Sequence, residues 1–258
     1  MRTNMSKTGD HVLAVNPMGK SPIVLVCEHA TNFIPASFDA LGLSDADQKS
    51  HAAWDLGAMS VARCLSKILD APLIASSVSR LVYDCNRPPT ATDAMPARSE
   101  VIDIPGNRNL SQAERAARTE VYYRPFQAAL GAVIRQITKP IIVTVHSFTP
   151  VFHGELRSVE IGVLHDSDAR LADALLSIAH QHPGAVVRRN EPYGPEHGVT
   201  HTLQEHAIED GRLNVMLEIR NDLIATPEQQ IKMSTTLANW IVDACAQLNV
   251  PGMVQCQQ

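Results

Sequence analysis

Two histidines each close an apolar run, His29 in "PIVLVCEH" and His146 in "KPIIVTVHSF". Such runs form buried strands, so each ring is expected to project from the rim of a sheet. Neutral imidazole is the commonest zinc ligand, and two imidazoles with one carboxylate leave a fourth position open for water, as catalytic zinc sites require. The alternative for each ring is an ordinary hydrogen bond to a neighbouring loop, since the chain distributes eleven histidines along its length. The carboxylate is less evident. Glu28 adjoins His29 and points to the opposite face if strand geometry continues. Asn32 stands where an HxxE motif would place its glutamate, and a neutral amide is a poor zinc ligand. Asp55, in "AAWDLGA", opens a helical segment, where it can coordinate a metal or cap the helix.

Glu218 is a carboxylate set late in the apolar run "NVMLEIRND". A charge there costs several kcal/mol unless it is paired, solvated or beside a metal. It can act as general base on a water whose pKa zinc lowers to about 7, or it can bridge to Arg220, two residues on and on the same face. The segment "SRLVYDCNRPP" gathers Arg80, Asp84, Asn86 and Arg87. Arginine suits bidentate clamping of a substrate carboxylate, although a structural Arg–Asp pair gives the same letters. Two other patterns read as bland. Cys27 shares a face with His29, but a cysteine inside an apolar strand is core packing. "HAIE", His206 to Glu209, matches HxxE by letter yet lies in a polar helix, a solvated face.

The elements that must position these residues alternate along the chain. Short β-branched runs are separated by segments of helical period, the pattern of parallel strands joined by crossover helices. Strands are expected at "PIVLVCEH", "APLIASSVS", "LVYD", "KPIIVTVHSF", "EIGVLH", "GAVVRR" and "NVMLEIR". Helices are expected at "WDLGAMSVARCLSKILD", "DARLADALLSIAHQ", "THTLQEHAIEDG" and from Pro227 onward. Another, "LSQAERAARTEVYYRPFQAALGAVIRQI", should be kinked or split by Pro125. The site candidates gather where strands end at their carboxyl edges, the usual crevice of an open α/β sheet. No repeat or linker divides the 258 residues, so a single domain is expected, with residues 1–20 as a peripheral segment.

Composition narrows the function classes. Hydrophobic residues make up 45% of the chain and aromatics only 4%, which supplies an aliphatic core and no stacking platform for single-stranded nucleic acid. The net charge of -5, without any long run of one sign, argues against nucleic-acid and anionic-membrane partners. Five cysteines at scattered spacings, with no CxxC pair, read as reduced thiols in a cytoplasm. The N-terminus lacks the apolar core of a secretory signal, and no stretch approaches the roughly 18 apolar residues of a membrane helix. Whether copies of the chain associate into a homo-oligomer is open.

Taken in order, "VCEHATNFIP", "WDLGA", "SRLVYDCNRPP", "VHSFTP" and "LEIRNDL" resemble the N-formylglutamate amidohydrolase family, from about Ile23 to the last helix. The resemblance implies a three-layer α/β/α sandwich around a mixed, mostly parallel sheet, like that of zinc-dependent carboxypeptidases and aspartoacylases. It implies one zinc ion on His29, His146 and Asp55, with Glu218 as general base. Asn86 and Arg87 would hold the substrate's carbonyl and carboxylate, Arg157 is a further anion contact, and Arg80 and Arg220 complete the candidate substrate contacts. The implied reaction is hydrolysis of N-formyl-L-glutamate, or a related small N-acyl amino acid, to formate (or another acid) and the free amino acid. A zinc peptidase or amidase on another substrate, or a binding domain that keeps the fold, are the alternatives. "CEHATN" departs from the His-Ser-Gly turn of the formylglutamate deformylases of histidine breakdown, which leaves the acyl group and amino acid open.

Overall fold

The computed structural model describes residues 11–182, 184–250 and 256. Along the chain come strand β1 (Val12–Val15), β2 (Ile23–Cys27), a short helix α1 (Asp45–Lys49), α2 (Ala58–Ile68) and β3 (Leu73–Ser76). A small hairpin follows, β4 (Arg98–Ser99) and β5 (Ile102–Asp103), then α3 (Gln112–Arg118), α4 (Arg124–Gln136) and β6 (Ile141–Phe148). A second hairpin is formed by β7 (Val151–Phe152) and β8 (Glu155–Leu156). The chain continues through β9 (Ile161–Leu164), α5 (Arg170–Ser177), β10 (Val187–Arg189), α6 (His201–Leu203), β11 (Asn214–Arg220) and α7 (Pro227–Gln247).

The main sheet has seven strands in the order β1-β3-β2-β6-β11-β9-β10. Its centre, β3-β2-β6-β11, is parallel, while β1 and β9 pair antiparallel with β3 and β11. The central strands are continuous apolar runs because both faces are covered. Ile23, Leu25 and Cys27 pack under α2, α5 and α7, where Trp240 is buried and donates to the Leu175 carbonyl at 2.9 Å. Val24 and Val26 face a second core built on Tyr83, Phe126 and Leu130. The result is a three-layer α/β sandwich. After β2 the chain crosses first to β3 on one side and later to β6 on the other, so the β2/β6 boundary is the switch point at which a crevice opens.

Three local expectations meet their physical reasons here. The helix around Pro125 is split, with a widened π-helical turn over Thr119–Tyr123 that lets Pro125 fall in the first turn of α4, where no N–H is needed. "LVYD" is not a strand. It forms a turn and buried loop closed by Val82 N–H on the Ser79 carbonyl at 2.9 Å. Its apolar side chains fill the second core, while Asn107 and Arg118 donate to the Leu81 and Val82 carbonyls at 2.8 and 3.2 Å, replacing a neighbouring strand. Of the segment expected to be peripheral, residues 1–10 lie outside the described residues, and Val12–Val15 adds an edge strand. All five cysteines are free thiols. Among the described residues no helix is long and apolar enough to cross a membrane.

Candidate functional site

Glu28, His146 and Glu218 lie at the carboxyl ends of β2, β6 and β11, and β6–β11 pairing sets Glu218 directly beside His146. Glu28, His146 and Glu218 continue the alternation of Val26, Ile142 and Met216, so all three stand on the second-core face of the sheet. His29 follows β2 as the chain leaves the sheet. Asp55 enters from the turn before α2. The cap of that helix is Gly57, not Asp55, and the carboxylate is free to reach inward. Gly57 has a φ of 82°, and a Cβ on it would come within 2.6 Å of the Ile224 carbonyl oxygen, so only glycine makes this turn without strain. The Asp55 amide is tied to the His29 carbonyl at 3.0 Å, which fixes the two residues together.

Three donor atoms converge: His29 Nδ1, His146 Nδ1 and Asp55 Oδ2. Their separations are 3.2 Å between the rings and 3.3 and 3.0 Å from each ring to the carboxylate. A tetrahedral zinc ion with ligands at about 2.0–2.1 Å requires donor atoms about 3.3 Å apart. The triangle therefore matches a metal's ligand edge, and all three residues are buried. The outer nitrogens are also engaged. His29 Nε2 is hydrogen-bonded to Asp84 Oδ1 at 2.8 Å. His146 Nε2 is 3.0 Å from Glu28 Oε2, an ion-pair distance at which the N–H is not aligned for a full hydrogen bond. Carboxylates behind both rings favour the tautomer with Nε2–H outward, leaving the Nδ1 lone pairs to face each other and Asp55.

The charges agree with that geometry. Burial opposes ionisation of Asp55, but His29 and Arg80 outweigh it and hold the carboxyl well below its usual range. Asp84 is likewise lowered against its burial, chiefly by His29, and Glu28 by His146. Three ionised carboxylates thus surround two imidazoles, whose proton affinities rise despite burial: His29 through Asp84 and Asp55, and His146, further, through Glu28 and Asp55. A buried group of donors that draws protons this strongly is one that a divalent cation also fits. His51, at the rim, goes the other way, pushed down to about 3 by burial and by Arg80.

Glu218 differs from the other carboxylates. Burial, with Asp55 adding to it, lifts its pKa to about 7, and its Oε2 has no hydrogen-bond partner among the described residues. Arg220 does not pair with it. That guanidinium is bound to Asp222 at 2.8 Å and Glu160 at 3.2 Å, which removes the salt-bridge reading of Glu218, and Arg220 is not among the residues lining the cleft. Glu218, His29, His146 and Asp55 share a cleft of about 330 Å³ with Arg80, Arg87 and Tyr193.

The other expected contacts are also engaged with neighbouring groups of the protein. Asn86 lines the cleft as well, while its amide donates to the Val199 carbonyl at 2.5 Å and accepts the Thr202 N–H at 3.0 Å, which anchors a loop there. Arg87 lines the cleft, but its guanidinium pairs with Asp93 at 2.8 Å and donates to the His197 and Gly198 carbonyls. It joins two loops. Arg80 sits at the triangle, with Nη1 3.2 Å from Asp55 Oδ1 and Nε donating to the Ala52 carbonyl at 3.0 Å. Arg157 stands behind Tyr193, outside the cleft lining. Asn32 turns away to the Gln48 carbonyl at 3.0 Å. His206 is half-buried against Gln127 and not on a solvated face, and burial lowers its pKa to about 4. Sequence reasoning missed Asp84 and Glu28 as partners of the rings, and Tyr193 altogether. For Asp84 the signal was present, an acid at the same crevice. Tyr193 had none, because its loop carries no periodic pattern.

The family model for N-formylglutamate amidohydrolase matches residues 21–225, a span that contains every residue of the triangle and Glu218. Among solved structures, the crystal structure of gene product Atu2144 from Agrobacterium tumefaciens is 51% identical. It covers 93% of this chain and 97% of that one, with a TM-score of 0.91. The N-formylglutamate amidohydrolase from Ralstonia eutropha JMP134 shares the fold at 19% identity, with a TM-score of 0.56 over 93% of this chain and 99% of that one. No curated protein matches the chain in sequence.

Proposed function

Because this chain belongs to the N-formylglutamate amidohydrolase family, we propose that it is a zinc-dependent hydrolase of N-formyl-L-glutamate or a closely related N-acyl amino acid. The observation that carries the reading is the buried His29–Asp55–His146 triangle sharing one cleft with Glu218, whose Oε2 has no hydrogen-bond partner among the described residues. Those three residues would hold the ion, which when bound supplies the Lewis acidity that polarises an amide carbonyl and makes water nucleophilic at neutral pH.

The remaining chemistry belongs to the chain. Glu218, with a pKa of about 7, is poised to accept a proton from the attacking water and to return it to the leaving nitrogen. One C–O bond forms, the C–N bond breaks, and the proton ends on the amine, giving formate (or another acid) and a free amino acid. Arg80, beside the triangle, supports the negative charge that develops on the carbonyl oxygen. Asp84 and Glu28 keep the two rings in the tautomer that offers Nδ1. The five free thiols favour a reducing, cytoplasmic setting.

Glu218→Gln tests the assignment. It removes the base while leaving the triangle intact, so formate release from N-formyl-L-glutamate should fall by at least 100-fold with bound metal unchanged. Full activity in this variant would exclude Glu218 as the base. A buried, unpaired carboxylate is a costly feature for a domain that only binds, which favours turnover over the binding-domain alternative.

A further inference from the structure

Asn86 is bound at both ends and Arg87 is paired with Asp93 and two carbonyls, so a donor free of such bonds is better placed to meet a substrate carboxylate. The loop before α6 supplies one. Tyr193 lines the cleft, and its hydroxyl oxygen accepts a hydrogen bond from Arg157 Nη2 at 3.0 Å. Arginine can only donate, so the phenol is the acceptor in this pair and its own O–H remains available to donate elsewhere. Arg157 is held in place from several sides. Its guanidinium lies 4.4 Å from the centroid of Phe152, 5.0 Å from that of Tyr193 and 5.4 Å from that of Phe148. Its Nη1 donates to the Thr149 carbonyl at 3.4 Å, and its own carbonyl accepts from Arg220 Nη1 at 3.1 Å. Among the described residues no carboxylate forms an ion pair with it. A fixed cation without a counter-ion, bonded to the hydroxyl of a tyrosine that lines a cleft, is complementary to an anion in that cleft.

We propose that Tyr193 binds the α-carboxylate of the substrate through its O–H, with Arg157 as the positioning residue that orients and polarises the phenol. The proposal rests on the amidohydrolase reading of the cleft. Glu218, which hands its proton to the leaving nitrogen, and Tyr193 line the same cavity, and the Glu218 charge acts on the phenol. The α-carboxylate is one carbon removed from that nitrogen, so it is the substrate anion that reaches a group beside Glu218. The subsite would therefore select N-acyl α-amino acids as a class and leave the choice of side chain to other parts of the cleft.

The test compares wild type, Tyr193→Phe, Arg157→Met and the double variant on N-formyl-L-glutamate, its α-amide and its γ-amide, with metal content and thermal unfolding recorded for each. Tyr193→Phe should raise KM for N-formyl-L-glutamate at least tenfold, with a smaller effect on kcat. It should also erase the preference of the wild type for the acid over the α-amide, while leaving any preference over the γ-amide. Arg157→Met should shift KM in the same direction, and the double variant should be little worse than Tyr193→Phe alone, because both act through one hydroxyl. If wild type releases formate but Tyr193→Phe keeps its KM and its preference for the acid, the subsite is overturned. Loss of the γ-amide preference alone would overturn the α assignment, and fully additive losses would overturn the role of Arg157. If wild type neither turns over N-formyl-L-glutamate or any member of a panel of N-formyl and N-acetyl amino acids nor binds one in calorimetry, the amidohydrolase reading itself fails, and this subsite with it.

Discussion

Asp84→Asn isolates what the carboxylate behind His29 does. In the structure His29 Nε2 meets Asp84 Oδ1 at 2.8 Å, and the same oxygen accepts the Asn86 N–H at 2.9 Å. An asparagine oxygen can accept both bonds, so shape and loop anchoring are kept and mainly the charge is lost. Hydrogen bonds to charged groups contribute about 1.5–3 kcal/mol and neutral ones about 0.5–1.5, a difference of about 1–1.5 kcal/mol. At 1.4 kcal/mol per tenfold this is about a 5- to 12-fold loss in affinity for a metal on His29 Nδ1, reaching the lower end of the roughly 10–100-fold typical for partners of metal-binding histidines. Zinc affinity should be measured by competition with a chromophoric chelator at pH 7.5. Asp93→Asn, which removes a carboxylate lining the same cleft but paired with Arg87, serves as control and should lie within twofold of wild type. If Asp84→Asn also binds zinc within twofold of wild type, Asp84 does not tune His29 and the arrangement of carboxylate, histidine and metal is wrong.

Two further outcomes follow from the fold. Gly57→Ala forces a side chain into a φ of 82° and against the Ile224 carbonyl oxygen, so urea unfolding should show a loss of about 2–4 kcal/mol; a loss under about 0.5 would refute the steric argument. His206 has its pKa lowered from 6.5 to about 4, so the unfolded chain takes up a proton there before the folded one does. Its contribution is intact above pH 6.5 and lost as pH falls towards 4, at most about 3 kcal/mol and about half that for a partly solvated ring. Wild type should therefore lose about 1.5 kcal/mol more than His206→Gln between pH 7 and 4. Equal losses would contradict the burial effect.

The strands carrying the site were legible because β2, β6 and β11 are predominantly apolar, buried runs, and a charged or imidazole side chain late in such a run has few bland explanations. His29, His146 and Glu218 stand out for that reason. Asp55 was ambiguous, since an acid before a helix reads equally as a cap, and only the Gly57 turn distinguishes the two. The roles of Asn86 and Arg87 were hidden because their partners, Val199 and Gly198, are distant in sequence, and donor-rich residues look alike whether they bind substrate or carbonyls. "LVYD" misled for a related reason. A short apolar run shows that side chains are buried, while the fate of its backbone depends on Asn107 and Arg118 from elsewhere. Glu28 points away from His29 as strand geometry suggests, yet it ends beside the far nitrogen of His146, a relation set by strand order alone.

On the proposed function, the His29–Asp55–His146 triangle holds a metal that the reaction needs. This is tested most directly by metal analysis of the purified protein alongside formate release from N-formyl-L-glutamate, before chelation, after chelation and after zinc is restored. The expected result is about one zinc per chain, loss of activity in step with loss of metal, recovery on re-addition, and neither metal nor turnover in His29→Ala. A metal-free protein that releases formate at the full rate would contradict it.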